Sequence, residues 1–281
     1  GGLAGYNQGN IVNSYATGTV TGDTRVGGLV GVNFDYNATE TVVRNSYATG
    51  DVTGTGGSTG GLIGSNFEGA PVGNLVPSLE VRVTNSYATG DVTSDGENVG
   101  GFIGYNNGTI SQSFAVGRVT GNSGDVGGFA GDNREVIRGS YWDTDATGQA
   151  NSAGSATGLN TMQMTGSTAQ ASMSAFDFGT IWNTQSGGYP ILTKQADNES
   201  DQSDASQTTT EFVDVAASDL AGSGTTVDPY VITNASELQA MEDDLDAHYK
   251  LGNDINASGT AGWNNQKGFV PINRFNGTLN G

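Results

Sequence analysis

The sequence predicts an all-β chain, a parallel β-solenoid (β-helix) repeat array with a small capping segment and short helices. Three observations predict it. A glycine-rich phrase recurs as Gly1-Gly2-Leu3-Ala4-Gly5-Tyr6-Asn7, Gly27-Gly28-Leu29-Val30-Gly31-Val32-Asn33 and Gly60-Gly61-Leu62-Ile63-Gly64-Ser65-Asn66, then from Gly100 to Asn106 and from Gly127 to Asn133. A second phrase answers each copy, at Ser14-Tyr15, Ser46-Tyr47, Ser86-Tyr87, Ser113-Phe114 and Ser140-Tyr141. The third observation is spacing. From each Ser to the next Gly pair is 13, 14, 14 and 14 residues, whereas from each Asn to the next Ser is 7, 13, 20, 7 and 7. All length variation sits at one vertex, which is how a solenoid tolerates insertions.

Within a unit, short runs such as Ser46-Tyr47-Ala48-Thr49 and Val52-Thr53 are punctuated by glycine. There is room for two or three strands of about four residues and none for a helix of several turns. One column holds Leu3, Leu29, Leu62, Phe102 and Phe129; another holds Tyr15, Tyr47, Tyr87, Phe114 and Tyr141; a third holds Val20, Val52, Val92 and Val119. Stacking at about 4.8 Å per coil turns each column into an apolar or aromatic ladder, with the Leu/Phe and Val columns inside. The Asn column (Asn7, Asn33, Asn66, Asn106, Asn133) fits an amide ladder beside them. Columns kept in register argue against a glycine-rich disordered linker.

Gly-Gly-Leu-Val-Gly-Xaa-Asn followed by Asn-Ser-Tyr-Ala-Thr-Gly resembles the GLUG-motif repeat of large bacterial and archaeal surface proteins and adhesins. The resemblance covers residues 1–142. It implies a secreted or cell-surface β-solenoid in a stalk, fibre or adhesin, and it brings no catalytic residues.

Composition agrees. The chain has 46 Gly, no Cys, and 10 Lys+Arg against 29 Asp+Glu, a formal charge of −19. Without Cys there is no disulfide scaffold and no thiolate metal site. The acidity argues against nucleic acid and anionic membrane surfaces as partners. No apolar window approaches membrane-spanning length. Residue 1 falls inside a repeat phrase, so the sequence reads as a window on a longer tandem protein.

After the repeats, residues 143–193 read as the cap that covers the open end of the array, since a terminal coil exposes core and strand edge. Asn160 and Gln163 fit a capped short helix, and Phe176, Phe178, Ile181 and Trp182 supply apolar cover. The run from Gly158 to Leu192, ending in Tyr189-Pro190-Ile191-Leu192, resembles the segment that closes GLUG arrays. Residues 194–221 begin polar and acidic and form a linker. Residues 222–281 read as strand, helix and strands: Pro229-Tyr230-Val231-Ile232, a capping box at Ser236–Gln239, then Tyr249-Lys250-Leu251 and Phe275–Gly281. That order resembles the leading segment of a second, truncated solenoid unit.

Candidate sites are few. With one histidine, His248, and no Cys, metal clusters of zinc type and nucleophilic triads are excluded. Both long insertions leave the same vertex. Phe34, Asp35 and Tyr36 in one, and Phe67, Glu68, Leu75 and Leu79 in the other, mix aromatic, apolar and acidic groups as binding loops do. A lid over the core fits the same residues. Asp143, Asp145 and Thr147 alternate as in a calcium loop, although Gly154 stands where the bidentate Glu belongs. Asp51 and Asp91, with Asp23 near them, are one coil apart and read as solvated acids, with a carboxylate pair of a glycosidase or lyase as the alternative. Glycosylation sequons stand at Asn37, Asn107, Asn198, Asn234, Asn256 and Asn276.

These readings converge on a non-catalytic structural or adhesive module without a cofactor, stacking head to tail, with a carbohydrate-active β-helix enzyme as the alternative. Its expected partners are other surface-protein subunits or copies of itself, and carbohydrate or cell surfaces. The charge balance also fits a halophilic setting.

Overall fold

The computed structural model describes residues 1–35, 40–68, 81–122, 124–195, 213, 215–266 and 268–281. Five coils open at the Gly pairs and stack as a parallel β-solenoid. Coil 3 shows the plan: strands Ile63–Glu68, Val81–Thr84, Tyr87–Ala88, Val92–Ser94 and Val99–Gly100. That is five short strands per coil where the sequence suggests two or three, because each corner interrupts the ladder and leaves some strands only two residues long. Every strand pairs in parallel with its equivalents: Ile63 lies beside Val30 and Ile103, and Tyr87 beside Tyr47 and Phe114.

The Leu/Phe column is the centre of the core. Leu29, Leu62, Phe102 and Phe129 are fully buried, packed with Ile11, Val43, Val83 and Ile110 from the second sheet and Ala48, Ala88 and Ala115 from the third. The Val column is also inside, as a separate strip at one corner in which Val92 and Val119 meet Val99 and Val126. Phe102 and Phe129 stack at 4.7 Å, the coil spacing itself.

The two phrases turn out to be one device. A Cβ added at Gly61 would lie 2.1 Å from the Gly101 carbonyl oxygen and 2.9 Å from the Ala88 Cβ. At Gly28 the corresponding distances are 2.2 Å to the Gly61 oxygen and 2.8 Å to the Ala48 Cβ. The Gly of one phrase and the Ala of the other therefore touch across the coil, and between stacked coils nothing larger fits at the Gly.

Corners are sewn with side chains. The residue before each Ser is left-handed: Asn13, Asn45, Asn85 and Gln112 have φ of 51°, 51°, 49° and 50°, and Gly139 has 53°. Asn tolerates that region better than most residues. The Ser that follows is buried and bonds in two directions. Ser46 Oγ donates to the Arg44 carbonyl at 2.8 Å and accepts from the Ser14 amide at 3.1 Å, and the same pattern continues through Ser86, Ser113 and Ser140. The Asn column forms its ladder: Asn7, Asn33, Asn66 and Asn106 each donate Nδ2 to the Oδ1 of the next, at 2.7, 2.9, 2.8 and 2.7 Å, ending at Asn133. Asn7, Asn33, Asn66 and Asn106 are wholly buried, so each amide needs these partners.

The segment 143–193 divides its work. Thr157–Leu159 adds a strand to Tyr141–Asp143, and Trp142 replaces the inner Ala, so the open end is closed locally. Residues 160–193 do not sit over that end. They pack sideways on the outer aromatic column, where Met164, Met173, Phe176, Trp182 and Leu192 cover Tyr87, Phe114 and Tyr141. The column points outward, which leaves an apolar flank that needs this cover; Tyr15 and Tyr47 remain half-buried. Asn160 and Gln163 form the expected reciprocal cap.

The last segment corrects the reading of a second unit. Strand Thr278–Asn280 pairs with Asn10–Val12 of coil 1, and His248–Leu251 and Tyr230–Ile232 extend the same sheet to eight strands. Residues 215–281 therefore close the first coil of this very array. Ile232, Met241, Tyr249, Ile272, Phe275 and Leu279 join its core. The helix Ala235–Gln239 is capped by Asn234, two residues before the expected Ser236, because the Asn234 Oδ1 accepts the Glu237 amide while Glu237 accepts from Thr233.

The Gly–Ala contact makes a direct prediction. Gly61→Ala pushes a methyl into backbone and should cost about 1–3 kcal/mol or more. Gly57→Ala, where an added Cβ meets nothing within 4 Å, should stay within about 0.5 kcal/mol of the parent. Thermal unfolding of the two variants checks it; equal losses would show that the contact does not set the coil.

Candidate contact face and capped turn

The first sheet carries the insertion vertex at the ends of Val30–Asp35 and Ile63–Glu68. Alternation along these strands sends Asn33 and Asn66 inward and Phe34 and Phe67 outward. Register places Phe34 beside Phe67 and Asp35 beside Glu68. The rings of Phe34 and Phe67 lie 4.7 Å apart, and Tyr6 meets Phe34 edge-on at 5.9 Å. The Arg25 guanidinium stands 5.9 Å from the Phe67 centroid, within range of a cation–π contact. A pocket of about 360 Å³ opens here between Arg25, Ser58, Ser65, Phe67, Tyr105 and Asn107. Burial pushes the Tyr6 phenol above its usual range, against the pull of Arg25 and Arg274. The structure thus brings Phe34 and Phe67 together on one outward face, while Asp35 and Glu68 pair one position further on, where alternation turns them to the other side and Asp35 is buried. Tyr36, Leu75 and Leu79 lie outside the described residues. Arg25 and Tyr105, which complete the face, come from other parts of the coils; only the outward alternation of their columns signals them in the sequence.

The calcium reading meets a different geometry. Asp143 is fully buried. Its Oδ1 accepts the amides of Asp145 and Ala146 at 2.9 and 3.0 Å, and its Oδ2 accepts the Tyr189 hydroxyl at 2.7 Å. The Thr147 hydroxyl donates to the Asp143 carbonyl at 2.6 Å, and the Asp145 carboxylate accepts the Thr161 amide at 3.3 Å. The oxygens a cation would take are thus committed to capping the short helix Thr144–Thr147 and tying residues 160–193 to the array. Burial, then the bond to Asp143, pushes the Tyr189 phenol above its usual range. Among the described residues no group of three His, Asp or Glu gathers to hold a metal.

The acids weighed for catalysis act as backbone acceptors. Asp51 Oδ1 takes the Asp91 amide at 3.0 Å, and Asp91 Oδ1 takes the Arg118 amide at 2.8 Å, one coil on each time. Asp23 accepts the Thr55 hydroxyl. His248 lies in the end segment, 3.1 Å from the Thr226 hydroxyl. Of the sequons, Asn107 borders the pocket and Asn234 is spent as a helix cap. Asn256 and Asn276 are exposed, Asn256 turned to the Ser258 amide and Asn276 to Asp246. Asn37 and Asn198 lie outside the described residues.

With this geometry in place, the family model for the GLUG motif matches residues 1–21, 22–53 and 95–120. Those three segments carry the GLUG motif. Strands Ile63–Glu68 and Ala130–Asn133 fall outside the matched segments, yet they stack in the same register. Over 61 residues this chain is 44% identical to Halomucin of Haloquadratum walsbyi, a stretch that is 21% of this chain and 1% of that protein. A Bacteroides ovatus structure provisionally named as an immunoglobulin A1 protease superposes with a TM-score of 0.50 at 22% identity, over 67% of this chain and 62% of that one. That likeness is one of fold and supports the β-solenoid. The GLUG motifs and the Halomucin match mark a repeat protein.

The capped turn is open to test. Tyr189→Phe leaves a buried carboxylate oxygen without its donor and should cost about 1–3 kcal/mol, read as a lower Tm. A calcium chelator should leave the Tm of the parent chain unchanged; a chelator-induced drop restored by calcium would reinstate the metal.

Proposed function

We propose that this chain is a non-catalytic structural module of a secreted or cell-surface repeat protein, a stiff rod segment that presents the Phe34–Phe67 face for contact. The observation that carries this reading is the fate of the polar side chains. The Asn and Ser columns, Asp51, Asp91 and Asp143 all serve bonds between or at the ends of coils, which stiffens the rod and leaves none of them poised over a groove. The contact face combines rings, a guanidinium and amides, the chemistry that stacks on and hydrogen-bonds to saccharides. The provisional name of the Bacteroides structure brings no protease assignment with it, since Ser-His-Asp chemistry needs a histidine at the site and His248 stands in the end segment.

The test is incubation of the chain with neutral and acidic polysaccharides, scoring both retention and new chain ends. The expected outcome is no turnover, with any retention weakened by Phe67→Ala or Arg25→Ala. Turnover that disappears in Asp51→Asn or Asp91→Asn would establish the enzyme instead.

A charge of −19 on a narrow rod adds a condition. Like charges lie within the Debye length of about 10 Å at 0.1 M salt but outside the roughly 3 Å of 1 M. Described ion pairs that relieve the repulsion, Arg82–Glu40 and Arg134–Asp132, lie on the surface and contribute little. The Tm should therefore keep rising into molar sodium chloride. A Tm already level above about 0.15 M would remove the halophilic setting.

A further inference from the structure

Coil 1 is closed by a segment that reaches it from the far end of the chain. Its backbone bonds to residues 272–281 continue the pattern of bonds between coils. Gly5, Gln8 and Asn10 donate to the carbonyls of Ile272, Phe275 and Gly277, while Leu3, Tyr6 and Val12 accept from Ile272, Phe275 and Gly281. Side chains follow the same register: Ile11 lies between Val43 and Leu279, as Val43 lies between Ile11 and Val83. Phe275 stands opposite Asn7, where the amide ladder stops. Without this cover, coil 1 presents an open parallel edge above Leu3, Ala4 and Ile11, a template for association.

We propose that residues 215–281 form an exchangeable end cap, and that its alternative seat is coil 1 of a second copy of this chain. The contacts made within one chain and between two are the same, so the two arrangements differ only in how the linker is strung. From Gln195 to Val213 the chain reaches at most about 60 Å, ample to close on itself. Both ends of the closed form are covered, so copies joined head to tail must open this joint first. An opened cap leaves one bare coil 1 and one free cap per molecule, which closes pairs or extends into strings. Closure within the chain has an effective concentration in the millimolar range, so exchange belongs to dense material and dilute chains remain closed. The proposal rests on the structural-module reading, but polysaccharide turnover would sink that reading and leave this joint untouched.

Register offers the test, since the chain has no Cys of its own. Asn10 and Thr278 are partners across the joint. A chain carrying only Asn10→Cys is mixed with one carrying only Thr278→Cys at about 1 mM, warmed near the Tm, cooled and oxidised. The expected product is a mixed disulfide dimer several-fold above a control pairing Thr278→Cys with Asn122→Cys, an exposed site on coil 4. A yield equal to the control overturns the proposal. A second variant deletes residues 197–211, leaving about 10 Å of reach. Gln195, bonded to Tyr87 of coil 3, and the cap are separated by three strand spacings, about 14 Å along the stack. This variant cannot close on itself and should double its mass or more by light scattering at unchanged β-content. A folded monomer would overturn the exchange.

Discussion

Parallel stacking demands that each residue tolerate its own equivalent about 4.8 Å above and below. Everything else in the molecule follows from that constraint. It admits Ala against Gly in the flat part of the coil, Ser and Asn where a side chain can bond both its own coil and the next, and aliphatic or aromatic groups that stack. It disfavours like charges in a buried column, and the Leu/Phe and Val columns hold only apolar groups. The repeat survives insertions because they leave at a corner, where the ladder is already interrupted.

What the sequence shows well is whatever repeats. The coil register, the Leu/Phe core and the Asn ladder can be read from columns alone, because each residue is defined by its copies. The direction of the Tyr column is less visible: Tyr87 and Phe114 are apolar enough for either side, and only the packing of Met173, Phe176 and Trp182 shows that they face out. Nor do columns reveal who covers the first coil. Leu279 looks like the start of another array by sequence, and the same resemblance lets it sit on Ile11 of this one.

The turn at Asp143 shows a second limit. Alternating acids suit a cation or a helix start equally well on paper, since both require oxygens converging on positive charge. Tyr189, distant in sequence, takes Oδ2 and decides the matter locally. The contact face was half visible for a similar reason. Phe34 and Phe67 mark it by copying each other, whereas Arg25 enters from a neighbouring corner through a left-handed residue with φ of 54°.

The Asn ladder has a further consequence. From Asn7 to Asn133 every Nδ2 donor points to the later coil, and from Ser14 to Ser113 each backbone amide donates to the Ser of the later coil in the same sense. Bond dipoles aligned in a chain polarise one another, strengthening each by roughly 10–30%. Each of these two ladders therefore has a direction, and each added coil lengthens a chain of like-oriented side-chain bonds, although backbone amides such as that of Tyr47, which donates to the Ser14 carbonyl, run the other way.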